Sequence, residues 1–287
     1  MFDKVVTLTM NQRVKDSNIS QNLFRSLLLR LRNGESMKED WKQLLTRQPS
    51  HVSNLQEFQH SIRLFYSNEE VAKFNYEHLL DLKQPIAQIN ARHSTNKAKV
   101  INSQDMYGLQ PTLLIAKKAR VMLTMNLWPS AGLCNGVTGY IEDIIYAQSQ
   151  EPPLLPTAVV VKFDNYIGPS FSTTPCCVPI SPITVSVNLN NVIHERQQLP
   201  LTLAWALTIH KSQGMTIDKL WVDIGKKEHS LGMSYVALSR VRKLSSMVIE
   251  PMPFDRLSSI KKSDTLHYRL IEEKRLENLA KNLINKL

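Results

Sequence analysis

Apolar positions in the first hundred residues keep two periods in turn. Val5-Val6-Thr7-Leu8-Thr9 is a short, nearly continuous apolar run of the kind a buried strand carries. Leu and Phe at 23, 24, 27, 28 and 31 then recur at helical spacing, predicting a helix over 22–33 that Gly34 closes. Ser36 with Glu39 three residues on has the capping-box pattern and predicts a second helix, with Trp41 and Leu44-Leu45 on its inner face. Ile62-Arg63-Leu64-Phe65-Tyr66 predicts another strand, and Ser67-Asn68-Glu69-Glu70 begins a helix running to about Leu82. Strand and helix alternating in this way predict a doubly wound α/β domain with a parallel sheet.

The period changes near Gly108. From there to about Gln198 helical spacing fades, and short β-like runs at 113–116, 119–124, 137–146, 158–163 and 183–187 are punctuated by Pro and Gly. Asn135-Gly136 is a turn signal, and most of the 14 prolines fall between Pro111 and Pro200. This stretch reads as a small β-barrel inserted into the α/β domain. The α/β pattern resumes with Leu201–Trp205, a helix from about Leu207, a strand over 219–224, a helix over 234–241 and a strand at Met247-Val248-Ile249. Leu and Ile from 266 to 287 then give an amphipathic helix. The expected domains are 1–107 with 199–287, and the insert 108–198.

Composition, 43% apolar and 21% charged, is that of an ordinary globular protein. A formal charge of +10 favours a polyanionic partner, nucleic acid before a membrane surface. Cys134, Cys176 and Cys177 are too few for a zinc set or a disulfide framework, so no metal site is expected and a reducing compartment fits. The first residues lead into a β-like run rather than a signal-peptide core, and the longest apolar stretch, 199–209, is far short of the ~20 residues of a spanning helix. A soluble protein with no membrane partner is expected.

Two segments place polar groups between apolar flanks: Thr208-Ile209-His210-Lys211-Ser212-Gln213-Gly214-Met215-Thr216 and Tyr235-Val236-Ala237-Leu238-Ser239-Arg240-Val241-Arg242. Arg240 sits on a predicted helix whose apolar face is Val236, Ala237 and Val241, so it should project from the core; an arginine so presented can stabilise charge on a transferring γ-phosphate. The plain alternative is a solvated or salt-bridged arginine. His210 and Lys211, near the start of a short predicted helix, suit a nucleic-acid phosphate, and the alternative is a satisfied histidine beside a surface lysine. Gln213 offers an amide to orient water or phosphate, and Gly214 a backbone that permits close approach. Arg13 directly follows a strand, where doubly wound sheets bind ligands. Arg92, Lys97, Lys99, Lys117, Lys118 and Arg120, opposed only by Asp105, could track a phosphate backbone or form a solvated face. Of Trp41, Trp128, Trp205 and Trp221, all read as core before base-stacking platforms, and Trp128, in a polar loop, is the most open to the second reading. No phosphate-cradling G-x-x-x-x-G-K-[S/T] occurs in the chain.

At these residues the chain resembles the PIF-type (petite-integration-frequency) DNA helicases of superfamily one, whose relatives include transposon-borne, Helitron-like proteins. The run 199–216 resembles the family's motif V, 235–242 its motif VI, and Leu8–Arg13 its motif IV; 31–41 resembles the usual continuation, and 132–136 and 161–164 resemble the inserted barrel. The resemblance covers nearly the whole chain. It implies an ATP-driven 5′-to-3′ translocase on single-stranded and forked DNA, serving DNA repair, recombination and telomere maintenance, in the nucleus or, for a remnant, the cytoplasm. It implies two RecA-like lobes with ATP and Mg²⁺ between them, of which this chain is similar to the second, with a Src-homology-3-like barrel inserted. Arg240 and Arg13 would contact the γ-phosphate, Gln213 and Gly214 would couple nucleotide to DNA, and Thr208, His210 and Lys211 would lie along the DNA backbone. Met233 departs from the glutamine many members carry there. Walker A and Walker B motifs would come from a first lobe, in cis or on a separate chain, so the chain alone is expected not to hydrolyse ATP. The alternative is a non-catalytic DNA-binding remnant of a transposon-derived helicase.

Overall fold

A computed structural model of the chain describes residue 5 and residues 18–169, 174–225 and 230–284. Arg13 and, Val5 apart, the strand expected at 5–9 lie outside the described residues. The chain forms two compact units, residues 1–68 with 207–287, and residues 69–206. The expected insert, 108–198, falls inside the second.

In the first unit, helix α1 (Ile19–Asn33) begins earlier than its apolar spacing indicated, because Asn18 Oδ1 accepts the Gln21 N–H at 2.8 Å and caps it there. Gly34 ends it at φ +74°, a left-handed turn that a side chain would strain, and the Glu35 N–H closes back onto the Arg30 carbonyl at 2.8 Å. Helix α2 (Lys38–Leu45) is capped by Asp40, not by the expected Ser36 and Glu39. The Asp40 carboxylate accepts the Met37 N–H at 3.0 Å and is held in place by Arg30, from Nε at 2.9 Å and Nη2 at 2.5 Å. Phe24, Leu27, Leu28, Leu31 and Leu44 are buried, as the helical spacing requires. Strand β1 (Ile62–Phe65) follows.

Helix α3 (Asn68–Asp81) leads into the second unit. Its strands are β2 (Ala87–Asn90), β3 (Arg92–His93), β4 (Thr112–Ile115), β5 (Arg120–Leu123), β6 (Thr138–Ile145), β7 (Ala158–Phe163), β8 (Cys177–Ile180), β9 (Ile183–Leu189), β10 (Val192–Gln198) and β11 (Leu201–Leu203), with helix α4 (Asn96–Val100) between β3 and β4. They make an antiparallel sheet in the order β11-β5-β6-β7-β8, a three-stranded sheet β3-β10-β9 and the pair β2-β4. Ile89, Leu113, Val121, Ile141, Val161 and Leu201 share its main core. Leu201–Leu203, expected to reopen the α/β pattern, instead pairs antiparallel with β5, Leu201 opposite Leu123. Strand β10 carries no apolar alternation because its buried positions are His194, Arg196 and Gln198. Arg196, wholly buried, donates to the carbonyls of Ala98 at 2.6 Å and of Leu109 and Ile101 at 2.8 Å, which ties the end of α4 to the sheet.

The chain re-enters the first unit through β12 (Ala206–Thr208), β13 (Leu220–Val222), helix α5 (Met233–Leu238), β14 (Met247–Ile249) and helices α6 (Phe254–Ser258) and α7 (Asp264–Ile284). The sheet order is β12-β1-β13-β14, with β1, β13 and β14 parallel and Leu64, Val222 and Ile249 in register. Parallel neighbours joined through helical crossovers are the doubly wound arrangement expected.

Candidate nucleotide and nucleic-acid site

Beyond Thr208 the chain runs through consecutive turns over 209–214, not the helix expected from Leu207. Ser212 sets the first: its N–H donates to the carbonyls of Thr208 at 3.2 Å and Ile209 at 3.1 Å, and its Oγ donates to Ile209 at 2.7 Å. Gly214, at φ +87° and with no atom within 4 Å of where a Cβ would stand, turns the backbone away before a helix can propagate. Ser212 is buried, while His210, Lys211, Gln213 and Gly214 are exposed. Thr208 Oγ1 accepts the Lys211 N–H at 3.3 Å, and the His210 ring lies 6.2 Å from that of Tyr66. Lys211 is exposed as a residue, yet desolvation by the surrounding chain draws its ammonium below the ordinary lysine pKa.

Arg240 does not project. Helix α5 ends at Leu238, so Arg240 lies past the helix, on a turn where the helical apolar face no longer governs direction. It is only 7% exposed. Nε donates to the Val236 carbonyl at 2.6 Å, Nη2 to Ser239 Oγ at 2.7 Å and Nη1 to the Ser212 carbonyl at 3.2 Å. The Arg240 carbonyl in turn accepts the Ile217 N–H at 2.9 Å. The two polar segments singled out in the sequence therefore meet, and Arg240 is bonded directly to the loop that bears Lys211, Gln213 and Gly214.

The basic run of the second unit is partly neutralised: Lys117 pairs with Asp143 at 2.6 Å, and Arg120 with Asp164 at 2.6 Å. The second unit holds ten basic and ten acidic residues, the first twenty-five basic and fifteen acidic, so the whole +10 belongs to the unit that carries the Ser212 loop. Three tryptophans are packed: Trp41 donates to the Met252 carbonyl at 2.8 Å, Trp205 packs on the barrel core, and Trp221 lies under the Arg63 guanidinium at 4.3 Å. Trp128 is exposed.

Sequence reasoning missed Arg256, which is 2% exposed and bonds Ser234 Oγ at 3.0 Å and the Gly225 carbonyl at 3.1 Å, fastening α6 to α5. An arginine amid Pro253-Phe254-Asp255 carries no periodic signal of burial. Met233 is buried and lines a cavity of about 640 Å³ together with Val236, Leu266, Arg32 and Arg269. Among the described residues no three His, Cys, Asp or Glu side chains gather as a metal site, and no helix is long and apolar enough to cross a membrane.

No protein-family model matches the chain. It is 29% identical over 244 residues to the ATP-dependent DNA helicase Pif1 of Bdellovibrio bacteriovorus, covering 85% of this chain and 49% of that protein. It is 31% identical over 211 residues to human ATP-dependent DNA helicase PIF1, covering 72% of this chain and 29% of that protein. The chain thus spans about half the length of the first relative and less of the second. Its fold is similar to the crystal structure of Pif1 helicase from Candida albicans, at TM-score 0.65 and 21% identity over 90% of this chain and 60% of that one. It is also similar to Bacteroides Pif1 in complex with ADP-AlF3 and single-stranded DNA, at TM-score 0.61 and 23% identity over 94% of this chain and 56% of that one. The fold is that of a RecA-like α/β lobe with an inserted small β-barrel. In sequence and in fold, over most of its length, the chain is similar to the Pif1-type DNA helicases.

Proposed function

We propose that this chain is the second motor lobe of an ATP-dependent 5′-to-3′ DNA helicase, gripping single-stranded DNA through Thr208, His210 and Lys211 and sensing ATP through Arg240. Arg13 would be the second arginine on the γ-phosphate. The observation that carries the reading is the bond from Arg240 to the Ser212 carbonyl, which links a candidate phosphate sensor to a candidate DNA loop. In the arrangement described, the guanidinium fork is occupied by protein acceptors. Drawing it onto a phosphate would release the Ser212 carbonyl and loosen Gln213 and Gly214, coupling nucleotide state to DNA grip. ATP supplies the energy of phosphoryl transfer, and its Mg²⁺ and β-phosphate would be held by a first lobe bearing the Walker motifs. The residues described here position and sense.

The test joins this chain to such a lobe and measures DNA-stimulated ATP hydrolysis. Arg240→Ala should lower turnover by about 10³ or more, and the joined protein's affinity for single-stranded DNA should no longer change when nucleotide is added. Unchanged turnover would overturn the sensor role and leave the reading of a DNA-binding remnant. Measured alone, this chain should show no turnover.

A further inference from the structure

The second unit has no net charge, yet the loop after β5 forms a tip that exposes apolar side chains. Between Arg120 and Glu142, and again between Asp164 and Glu195, there is no Asp, Glu, Lys or Arg. The first of these stretches forms a loop after β5 whose exposed side chains include Leu127, 38% exposed, and Trp128, 43% exposed. The second brings up Ile167, 79% exposed, whose N–H donates to the Ala131 carbonyl of that loop at 3.1 Å.

The loop is held by its own bonds. The Leu127 and Trp128 N–H groups both donate to the Leu133 carbonyl, at 3.0 and 3.1 Å, and the Leu133 N–H returns to the Trp128 carbonyl at 3.0 Å. Asn126 Oδ1 accepts the Asn135 N–H at 2.8 Å. Gly132 packs so closely that a Cβ there would stand 2.6 Å from the Asn165 carbonyl oxygen. A short 3₁₀ turn over Pro129–Ala131 completes the frame. Trp128 is thus carried in the open on a loop braced by its own backbone bonds, which lowers the cost of ordering the loop around a ligand.

We propose that Trp128 is a stacking platform for one unpaired nucleobase, with Leu127 and Ile167 as apolar flanks. A base face is neutral and aromatic, which matches a tip without charge on a unit without net charge; a phosphate-tracking groove would need cations there. The inference rests on the reading of this chain as a binder of single-stranded DNA. It adds a contact that reads bases rather than phosphates, on the unit that does not carry the Ser212 loop.

The experiment compares the full chain's affinity for an oligothymidylate with that for an abasic strand of equal length, by fluorescence anisotropy. Trp128→Ala should weaken oligothymidylate binding roughly tenfold, the loss of one stacked base, and leave the abasic strand unaffected. Trp128→Phe, which keeps an aromatic face, should retain most of the affinity, and Trp128→Leu, apolar but without one, should lose it; circular dichroism checks that each variant is folded. If the wild-type chain binds oligothymidylate and Trp128→Ala binds it equally well, the platform is refuted while the DNA reading stands. An equal loss on both strands also refutes stacking. If the wild-type chain binds neither strand, the DNA reading itself fails.

Discussion

Arg240 donates from Nη1 to the carbonyl of Ser212, a residue 28 positions earlier, at 3.2 Å. The turn after β12 and the end of α5 are thereby one structural object, closed a second time by the Ile217 N–H on the Arg240 carbonyl. Arg240→Ala removes three donors from a buried fork and leaves carbonyl acceptors without them. In urea unfolding it should lower the stability of the first unit by roughly 2 kcal/mol, apart from any effect on catalysis. Arg240→Lys, a single donor point, should recover only part. An unaltered unfolding midpoint in both variants would mean that these bonds do not hold the loop.

Single-strand binding should weaken steeply with salt, log K falling against log salt by about 0.7 for each phosphate contacted. Lys211→Ala should reduce that slope by about 0.7. Lys117→Ala, which removes a cation already paired with Asp143 in the neutral unit, should leave the slope as it was. Titrations over a series of potassium chloride concentrations decide, and a salt-insensitive affinity would contradict a phosphate grip.

Asp40 makes part of the first unit acid-labile. Burial alone would raise its pKa, but the hydrogen bonds from Arg30 and from the Met37 N–H outweigh it, and the carboxyl sits below the usual aspartate value. A folded pKa below the unfolded one gives stability that is complete above about pH 3.9 and is lost as pH falls through the folded value. Asp40→Asn should therefore destabilise by about 1–3 kcal/mol at neutral pH and flatten the pH dependence below about 4. Unfolding midpoints from pH 2.5 to 7 check both.

His93 acts in a higher window. Burial first, then the charges of Arg196 and Lys99, lowers its pKa, so the folded unit prefers the neutral ring. That contribution is complete above the unfolded value of about 6.5 and shrinks as pH drops below it. Amide exchange along β3 and β10 should accelerate from pH 7.5 to 5.5 after correction for intrinsic rates, and His93→Gln should remove the acceleration. Exchange that stays uniform over this range would show that His93 is not the titrating group.

Much of this architecture was legible in the sequence because periodicity and burial agree. Helix α1 shows its buried face as Phe24, Leu27, Leu28 and Leu31, and the parallel sheet shows its strands as short apolar runs. Strand β10 was illegible because its buried side is His194, Arg196 and Gln198, polar side chains whose bonding partners only the fold brings to them. The site was legible in part. The two polar segments announced themselves, but the burial of Arg240 did not, since a helical reading extended past Leu238 turned its side chain the wrong way. Likewise the turn at Gly214 depends on a positive φ that a glycine permits but does not announce. The openness of Trp128 follows from backbone bonds to Leu133 that leave no pattern among side chains.

The uneven distribution of charge also has a kinetic side. At physiological salt the screening length is about 8 Å, and beyond contact range a polyanion is drawn to net charge rather than to apolar surface. The unit of residues 1–68 and 207–287 should therefore govern how often an encounter with a polyanion begins, and substitutions of its basic residues should be sought in the association rate. The unit of residues 69–206, carrying no net charge, has little pull at a distance. Whatever its tip holds changes how long a complex lasts, so substitutions there should be sought in the dissociation rate.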